Sequence, residues 1–124
     1  MHRTHPAHVV ISGASSGIGQ ATAEAFAERG ARLVLAARSE EALQQVAERC
    51  RARGAEVLVV PTDVKQADQV QALLDAADAF GGVDVMVNNA GIFTGLHTIV
   101  DETEEQFDRT MLVNAKSVWL GCKY

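Results

Sequence analysis

Residues 9–19 read VVISGASSGIG, and this stretch decides the fold. A short apolar β-branched run, Val9-Val10-Ile11, precedes Ser12 and three glycines, Gly13, Gly17 and Gly19, which lead into an alanine-rich segment. The order is strand, glycine-rich turn, helix. Such a turn brings an anionic group against the free backbone N–H groups of a helix N-terminus, where the dipole also favours negative charge. Glycine removes the Cβ that would block the approach and tolerates positive φ. The reading is a dinucleotide site; the alternative is a tight turn without a ligand. The spacing is G-x-x-x-G-x-G, not the commoner G-x-G-x-x-G, so the strand–turn–helix context carries the weight. A phosphate-loop NTPase is excluded, because that loop needs Lys and Ser/Thr after its last glycine and Gln20 stands there.

Outward from this stretch the chain alternates. The first strand covers residues 9–12. A helix follows over about residues 17–29, with Ile18, Ala21, Ala25 and Phe26 expected on its inner face and Gly30 as its stop. Residues 33–36 form a second, fully apolar strand. Ser39 can cap the next helix, with Glu40 and Glu41 in its first turn, Leu43, Val46, Ala47 and Cys50 facing inward, and Gly54 at its end. A third buried strand is expected over residues 57–60, stopped by Pro61. A helix from about Gln66 should bury Val70, Leu73, Leu74 and Ala77 and end at Gly81-Gly82. The fourth strand spans residues 83–87. A loop then runs to Thr103, which with Gln106 makes a capping box for a last helix that should turn Phe107, Met111, Val118 and Trp119 inward. This βαβαβαβα order predicts an α/β fold, a Rossmann-type doubly wound parallel sheet, in one domain over residues 1–124.

The bulk properties narrow the function. The chain has 48% hydrophobic and 22% charged residues, ordinary for a globular protein, and a net charge of −5 with no basic run. That argues against nucleic acid or an anionic membrane as partner. No apolar run approaches the about 18 residues of a membrane helix, and the N-terminus shows no signal-peptide pattern. Cys50 and Cys122 lack metal-type spacing and read as reduced thiols of a cytoplasmic protein. His2, His5 and His8 are spaced by three, but no carboxylate or cysteine joins them and Pro6 interrupts helical spacing. They read as a tail leading into the first strand, and no metal site is expected.

Four further positions bear on chemistry. At the end of the second strand an acidic residue would hydrogen-bond both ribose hydroxyls and select NAD. Ala37 occupies that position, followed by Arg38 and Ser39 at a helix start. A guanidinium beside backbone N–H groups suits a 2′-phosphate, which favours NADP(H) over NAD(H); a solvated surface charge is the alternative. Asp63, in Thr62-Asp63-Val64, is either a turn or capping residue or a ligand-side residue at a strand's C-terminal end. Asn88-Asn89-Ala90-Gly91 is either an ordinary turn or a strand edge that touches the cofactor. Asn114 shares a stripe with Phe107, Met111 and Val118, spaced by four, three and four. On a buried face its amide must be hydrogen-bonded, and periodicity alone favours a satisfied core amide.

Together these residues resemble the main branch of the short-chain dehydrogenase/reductase superfamily, over nearly the whole chain from His8. Ser12-Gly13-Ala14-Ser15-Ser16-Gly17-Ile18-Gly19 resembles the family's TGxxxGxG cofactor motif, with Ser12 in the threonine position. Asp63-Val64 resembles the pair that contacts adenine, and Asn88-Asn89-Ala90-Gly91 matches the NNAG motif. The resemblance implies cofactor-binding roles for Ser12, Gly13, Ser15, Ser16, Gly17, Ile18, Gly19, Arg38, Ser39, Asp63, Val64, Asn89, Ala90 and Gly91. It implies that Asn114 is the helix asparagine of the catalytic tetrad, a residue that distorts its helix and whose backbone carbonyl holds a water in the proton relay. Arg38 without an acid before it resembles the NADP-preferring members.

The implied chemistry is hydride transfer between nicotinamide C4 and the carbon of a small-molecule carbonyl or alcohol. In the family a tyrosine exchanges the proton, a lysine lowers its pKa and a serine orients the substrate oxygen. No Tyr-x-x-x-Lys pair occurs in residues 1–124, and Tyr124, Ser15, Ser16 and Ser117 do not match the catalytic positions. The expectation is therefore the N-terminal half of a reductase, truncated after the fourth strand and the following helix and inactive alone, and a homo-oligomer when complete. A non-catalytic nucleotide-binding module is the rival reading, and an intact Tyr-x-x-x-Lys further along separates the two. On this reading the fourth strand, central in a full sheet, becomes an exposed edge and an aggregation site.

Overall fold

The computed structural model describes residues 5–124. His2 therefore lies outside the described residues. His8 opens the first strand, β1, His8–Ser12. It is followed by α1 (Gly17–Glu28), β2 (Arg32–Ala37), α2 (Glu40–Ala52), β3 (Val57–Pro61), α3 (Ala67–Ala79) and β4 (Val85–Val87). The last helical stretch runs through α4 (Glu104–Met111), a π-helical turn (Leu112–Lys116) and α5 (Ser117–Lys123). The four strands form one parallel sheet in the order β3-β2-β1-β4.

Strand alternation explains the two layers. Val9 and Ile11 of β1 and Leu33 and Leu35 of β2 point to one face, where they meet Ala23 and Ala27 of α1 and Leu43, Val46, Ala47 and Cys50 of α2. Val10, Val34 and Ala36 point to the other face, against Val70, Leu73, Leu74 and Ala77 of α3 and Leu120 of α5. Both central strands are buried on both sides, as their unbroken apolar runs require. Removing a fully buried side chain here, such as Leu35, costs about 2–5 kcal/mol.

Four expectations are corrected. First, α1 turns Gly19, Ala23 and Ala27 inward with Phe26 half-buried, while Ile18, Ala21 and Ala25 are exposed. Gly19 meets the Gly13 carbonyl so closely that it fixes the inner face, and Ala23 and Ala27 follow it at intervals of four. Second, β3 is half-buried, not fully buried, because it is an edge strand. Third, β4 is three residues long, not five. Val83 lies exposed before it, and Asp84 is held at the strand's entry by exchanging hydrogen bonds with the His8 backbone. It pairs with β1 at the other edge of the described sheet.

The fourth correction concerns the last helix. Phe107, Met111 and Trp119 are exposed and Val118 is half-buried; Val113, Ser117, Leu120 and Gly121 are buried instead. The expected faces follow from a regular α period, whereas the π-helical turn takes one more residue than an α turn. That shifts the phase of everything after it by roughly 100°, so residues before and after the turn do not share a face.

The helix caps otherwise follow the sequence. Ser39 accepts from the Ala42 N–H at 3.2 Å. Thr103 and Gln106 form the reciprocal capping box, with Gln106 N–H donating to Thr103 Oγ1 at 3.1 Å and Thr103 N–H donating to Gln106 Oε1 at 2.9 Å. Cys50 is buried and Cys122 exposed, both as free thiols. Among the described residues no helix is long and apolar enough to cross a membrane, and no group of three or more His, Cys, Asp or Glu could hold a metal ion.

Candidate functional site

A cleft of about 360 Å³ opens just beyond the C-terminal ends of the four strands. Each strand end contributes to it. Gly13, Ser15 and Ser16 follow β1, Ala37 ends β2 with Arg38 and Ser39 after it, Thr62 to Lys65 follow β3, and Asn89 to Ile92 follow β4. Arg109 and Val113, one turn apart on the last helical stretch, line it too.

The glycine turn is built to keep side chains out. Gly13 has φ +65°, and a Cβ there would lie 2.9 Å from Ala90 Cα. Gly17 has φ +55°, and a Cβ would meet open space. Gly19 lies beneath the turn, where a Cβ would collide with the Gly13 carbonyl. Ser16 precedes α1 in extended conformation, makes no side-chain cap, and no acid stands in the first turn. The N-terminal N–H groups of α1 are thus left without the side-chain oxygen that caps α2 and α4. Ile18 is 77% exposed and does not line the cleft.

Ser12 sits behind the cleft wall, buried at 4% exposure. Its Oγ accepts from the N–H groups of Asn89 at 3.0 Å and Ala90 at 3.1 Å. Asn89 Nδ2 donates to the Gly13 carbonyl at 3.1 Å. Asn88 faces the opposite way, its Nδ2 3.7 Å from Cys122 Sγ. The two consecutive amides therefore divide their work: one joins the glycine turn to β4, the other joins β4 to α5.

Asp63 is a turn residue that also borders the cleft. Its Oδ1 accepts from Lys65 N–H at 3.0 Å as a turn residue, its Oδ2 lies 3.9 Å from Lys65 Nζ, and it still borders the cleft beside Val64. Ala37, at the end of β2, brings a methyl group to the cleft and no carboxylate. Arg38 is exposed at the rim and forms no hydrogen bond or ion pair among the described residues.

Asn114 is not on a buried face. It is exposed, within the π-helical turn, and its amide makes two bonds to one residue. Ile92 N–H donates to Asn114 Oδ1 at 2.7 Å, and Asn114 Nδ2 donates to the Ile92 carbonyl at 2.9 Å. It lines a neighbouring hollow of about 320 Å³ with residues 92–97 and not the main cleft. Thr62, Lys65, Arg109 and Val113 were not foreseen as cleft residues. Arg109 and Val113 could have been, as an i, i+4 pair bracketing the phase break.

Residues 7–124 match the family model described as short chain dehydrogenase, and the chain belongs to that family. It is 46% identical over 110 residues to 11-beta-hydroxysteroid dehydrogenase A of Sesamum indicum, covering 86% of this chain and 31% of that protein. A short chain dehydrogenase/reductase from Burkholderia phymatum, solved in complex with NAD, superposes with a TM-score of 0.90 at 41% identity, covering 99% of this chain and 44% of that one. An alcohol dehydrogenase from Thermococcus sibiricus, complexed with 5-hydroxy-NADP, gives 0.89 at 37% identity over 96% of this chain and 51% of that one. The chain thus spans between about a third and a half of the length of these relatives.

Proposed function

We propose that residues 1–124 are the cofactor-binding half of an NADP(H)-dependent oxidoreductase. The whole protein would transfer hydride between nicotinamide and a small carbonyl or alcohol substrate. The observation that carries this reading is the N-terminus of α1, which has no side-chain cap and is preceded by Gly13, Ser15 and Ser16 on the wall of the cleft at the strand ends. In it the pyrophosphate would rest on α1 N–H groups, the adenine against Asp63 and Val64, and the 2′-phosphate on Arg38 and the start of α2. Ser12, Gly19 and Asn89 act by shaping the turn, and Ala90 and Gly91 by lining the cleft. A nicotinamide held there would donate hydride to a carbonyl or accept it from an alcohol. Asn114 would hold the water of the proton relay by its backbone carbonyl.

Cytoplasmic location and a homo-oligomeric state belong to the same proposal. The exposed Phe107 and Met111, one turn apart on α4, support self-association. The test is calorimetric titration of the full-length protein with NADPH and NADH, together with turnover of a panel of ketones and alcohols. Tighter NADPH binding with carbonyl reduction is the expected result. Tighter NADH binding overturns the role of Arg38, and binding without any turnover favours a non-catalytic module.

A further inference from the structure

Arg109 carries an inference that rests on the cofactor reading and extends it. Most of the arginines below the cleft are tied down. Arg32 pairs with Glu56 at 2.9 Å and lies over Phe80, Arg51 donates to the Val57 carbonyl at 2.9 Å, and Arg53 lies between Glu24 and Glu28. Arg109 lines the cleft, yet its side chain forms no hydrogen bond or ion pair among the described residues, not even with Glu105 one helical turn back. Lys65 and Asp63 offset each other across 3.9 Å. Among the described residues, the free positive charge of the cleft is therefore that of Arg38, after β2, and Arg109, on the last helical stretch. Val113, one turn after Arg109, puts an apolar surface on the same wall.

We propose that Arg109 is a second cofactor-recognition residue. Its planar guanidinium covers the adenosine end of the dinucleotide from the wall formed by α4 and the π-helical turn. A guanidinium favours an aromatic face as well as an anion. Adenine is common to both dinucleotides, so Arg109 contributes affinity without choosing between them, whereas Arg38 chooses.

The test is calorimetry of NADPH, NADH and 5′-AMP on the full-length protein and on its R109A, R109K and R38A variants. Arg109 is exposed, so its removal leaves the fold intact, which the melting temperature checks. R109A is expected to weaken all three ligands by about fivefold, with R109K restoring only part of the loss, because an ammonium lacks the plane. R38A is expected to weaken NADPH alone. Unchanged affinities in R109A overturn this proposal and leave the cofactor reading standing. Loss confined to NADPH in R109A also overturns it, placing Arg109 at the 2′-phosphate. Failure of the unaltered protein to bind either dinucleotide overturns the cofactor reading and this proposal together.

Discussion

Asn114 grips Ile92 at two points, with Oδ1 accepting from the Ile92 N–H at 2.7 Å and Nδ2 donating to its carbonyl at 2.9 Å. One side-chain amide thereby imitates a strand neighbour for the residue that follows Gly91. The helix offers this amide from a π-helical turn, a feature often found where a chain has local work to do. The consequence is testable. Asn114→Leu removes both bonds and is expected to destabilise by about 2 kcal/mol, since each net hydrogen bond contributes about 1 kcal/mol. Asn114→Asp keeps the acceptor and sets a carboxylate against the Ile92 carbonyl, so it should lose at least as much. Urea denaturation measures both, and faster exchange of the Ile92 amide hydrogen should accompany them.

The glycines of the turn should rank by their surroundings. Gly19→Ala drives a methyl group into the Gly13 carbonyl and toward Asn89 Nδ2 at 2.7 Å. Backbone must shift, so a loss of about 2–3 kcal/mol is expected, with NADPH binding reduced as well. Gly17→Ala meets open space and suffers only from its positive φ, at about 1 kcal/mol. Thermal melting of the two variants should preserve that order. A milder effect at Gly19 than at Gly17 would contradict the packing described.

Ala37 and Arg38 should set cofactor preference. Ala37→Asp puts a carboxylate where it can accept from both ribose hydroxyls and repel a 2′-phosphate. The expected result is an NADPH dissociation constant raised by about tenfold or more and a lowered one for NADH, a reversal worth at least about 1.4 kcal/mol. Titration of the full-length variant with both cofactors measures it.

The two cysteines should differ in chemistry and in pH response. Burial, with Glu24 nearby, pushes the Cys50 thiol above its ordinary value of 9.0. Cys122 is exposed. Alkylation at neutral pH should therefore label Cys122 and spare Cys50 until the chain unfolds. A thiol whose folded pKa is raised binds its proton more tightly in the native state. Its contribution is fully present below pH 9.0 and is lost as pH rises above that value. Comparing urea stability at about pH 8 and about pH 10, Cys50→Ala should show a smaller decline than the unaltered protein.

Isolated residues 1–124 are expected to show no dehydrogenase turnover, since no Tyr-x-x-x-Lys pair occurs in them. NADPH consumption with a carbonyl panel measures this directly.

Much of the architecture was readable because its causes are local. The unbroken apolar runs of β1 and β2, the Ser39 cap, the Thr103–Gln106 box and the stripe Leu43, Val46, Ala47, Cys50 each follow from residues within a few positions of one another. The cleft was readable where motifs mark strand ends: Gly13, Ser15, Ser16, Arg38, Ser39, Asp63, Val64, Asn89, Ala90 and Gly91 all line it. What escaped depends on distance. The inner face of α1 is set by how near Gly19 comes to the Gly13 carbonyl, and hydrophobicity alone pointed to Ile18. The burial of β3 is set by its place at the sheet edge, which strand order decides. The faces of the last helix were misread from a uniform period that the π-helical turn breaks. Arg109 belongs to no motif, and its place on the cleft wall is set by how the last helical stretch lies against the strand ends.

Ser12 Oγ receives the N–H groups of both Asn89 and Ala90, so a single oxygen fastens the end of β1 to the end of β4. The two walls therefore hold each other through bonds made within the chain itself. The ordering of this half of the cleft is incurred during folding and not on association. Dinucleotide affinity should then report the contacts made, with little deducted for rearrangement, and the arrival rate should follow diffusion and charge instead of waiting on an opening motion.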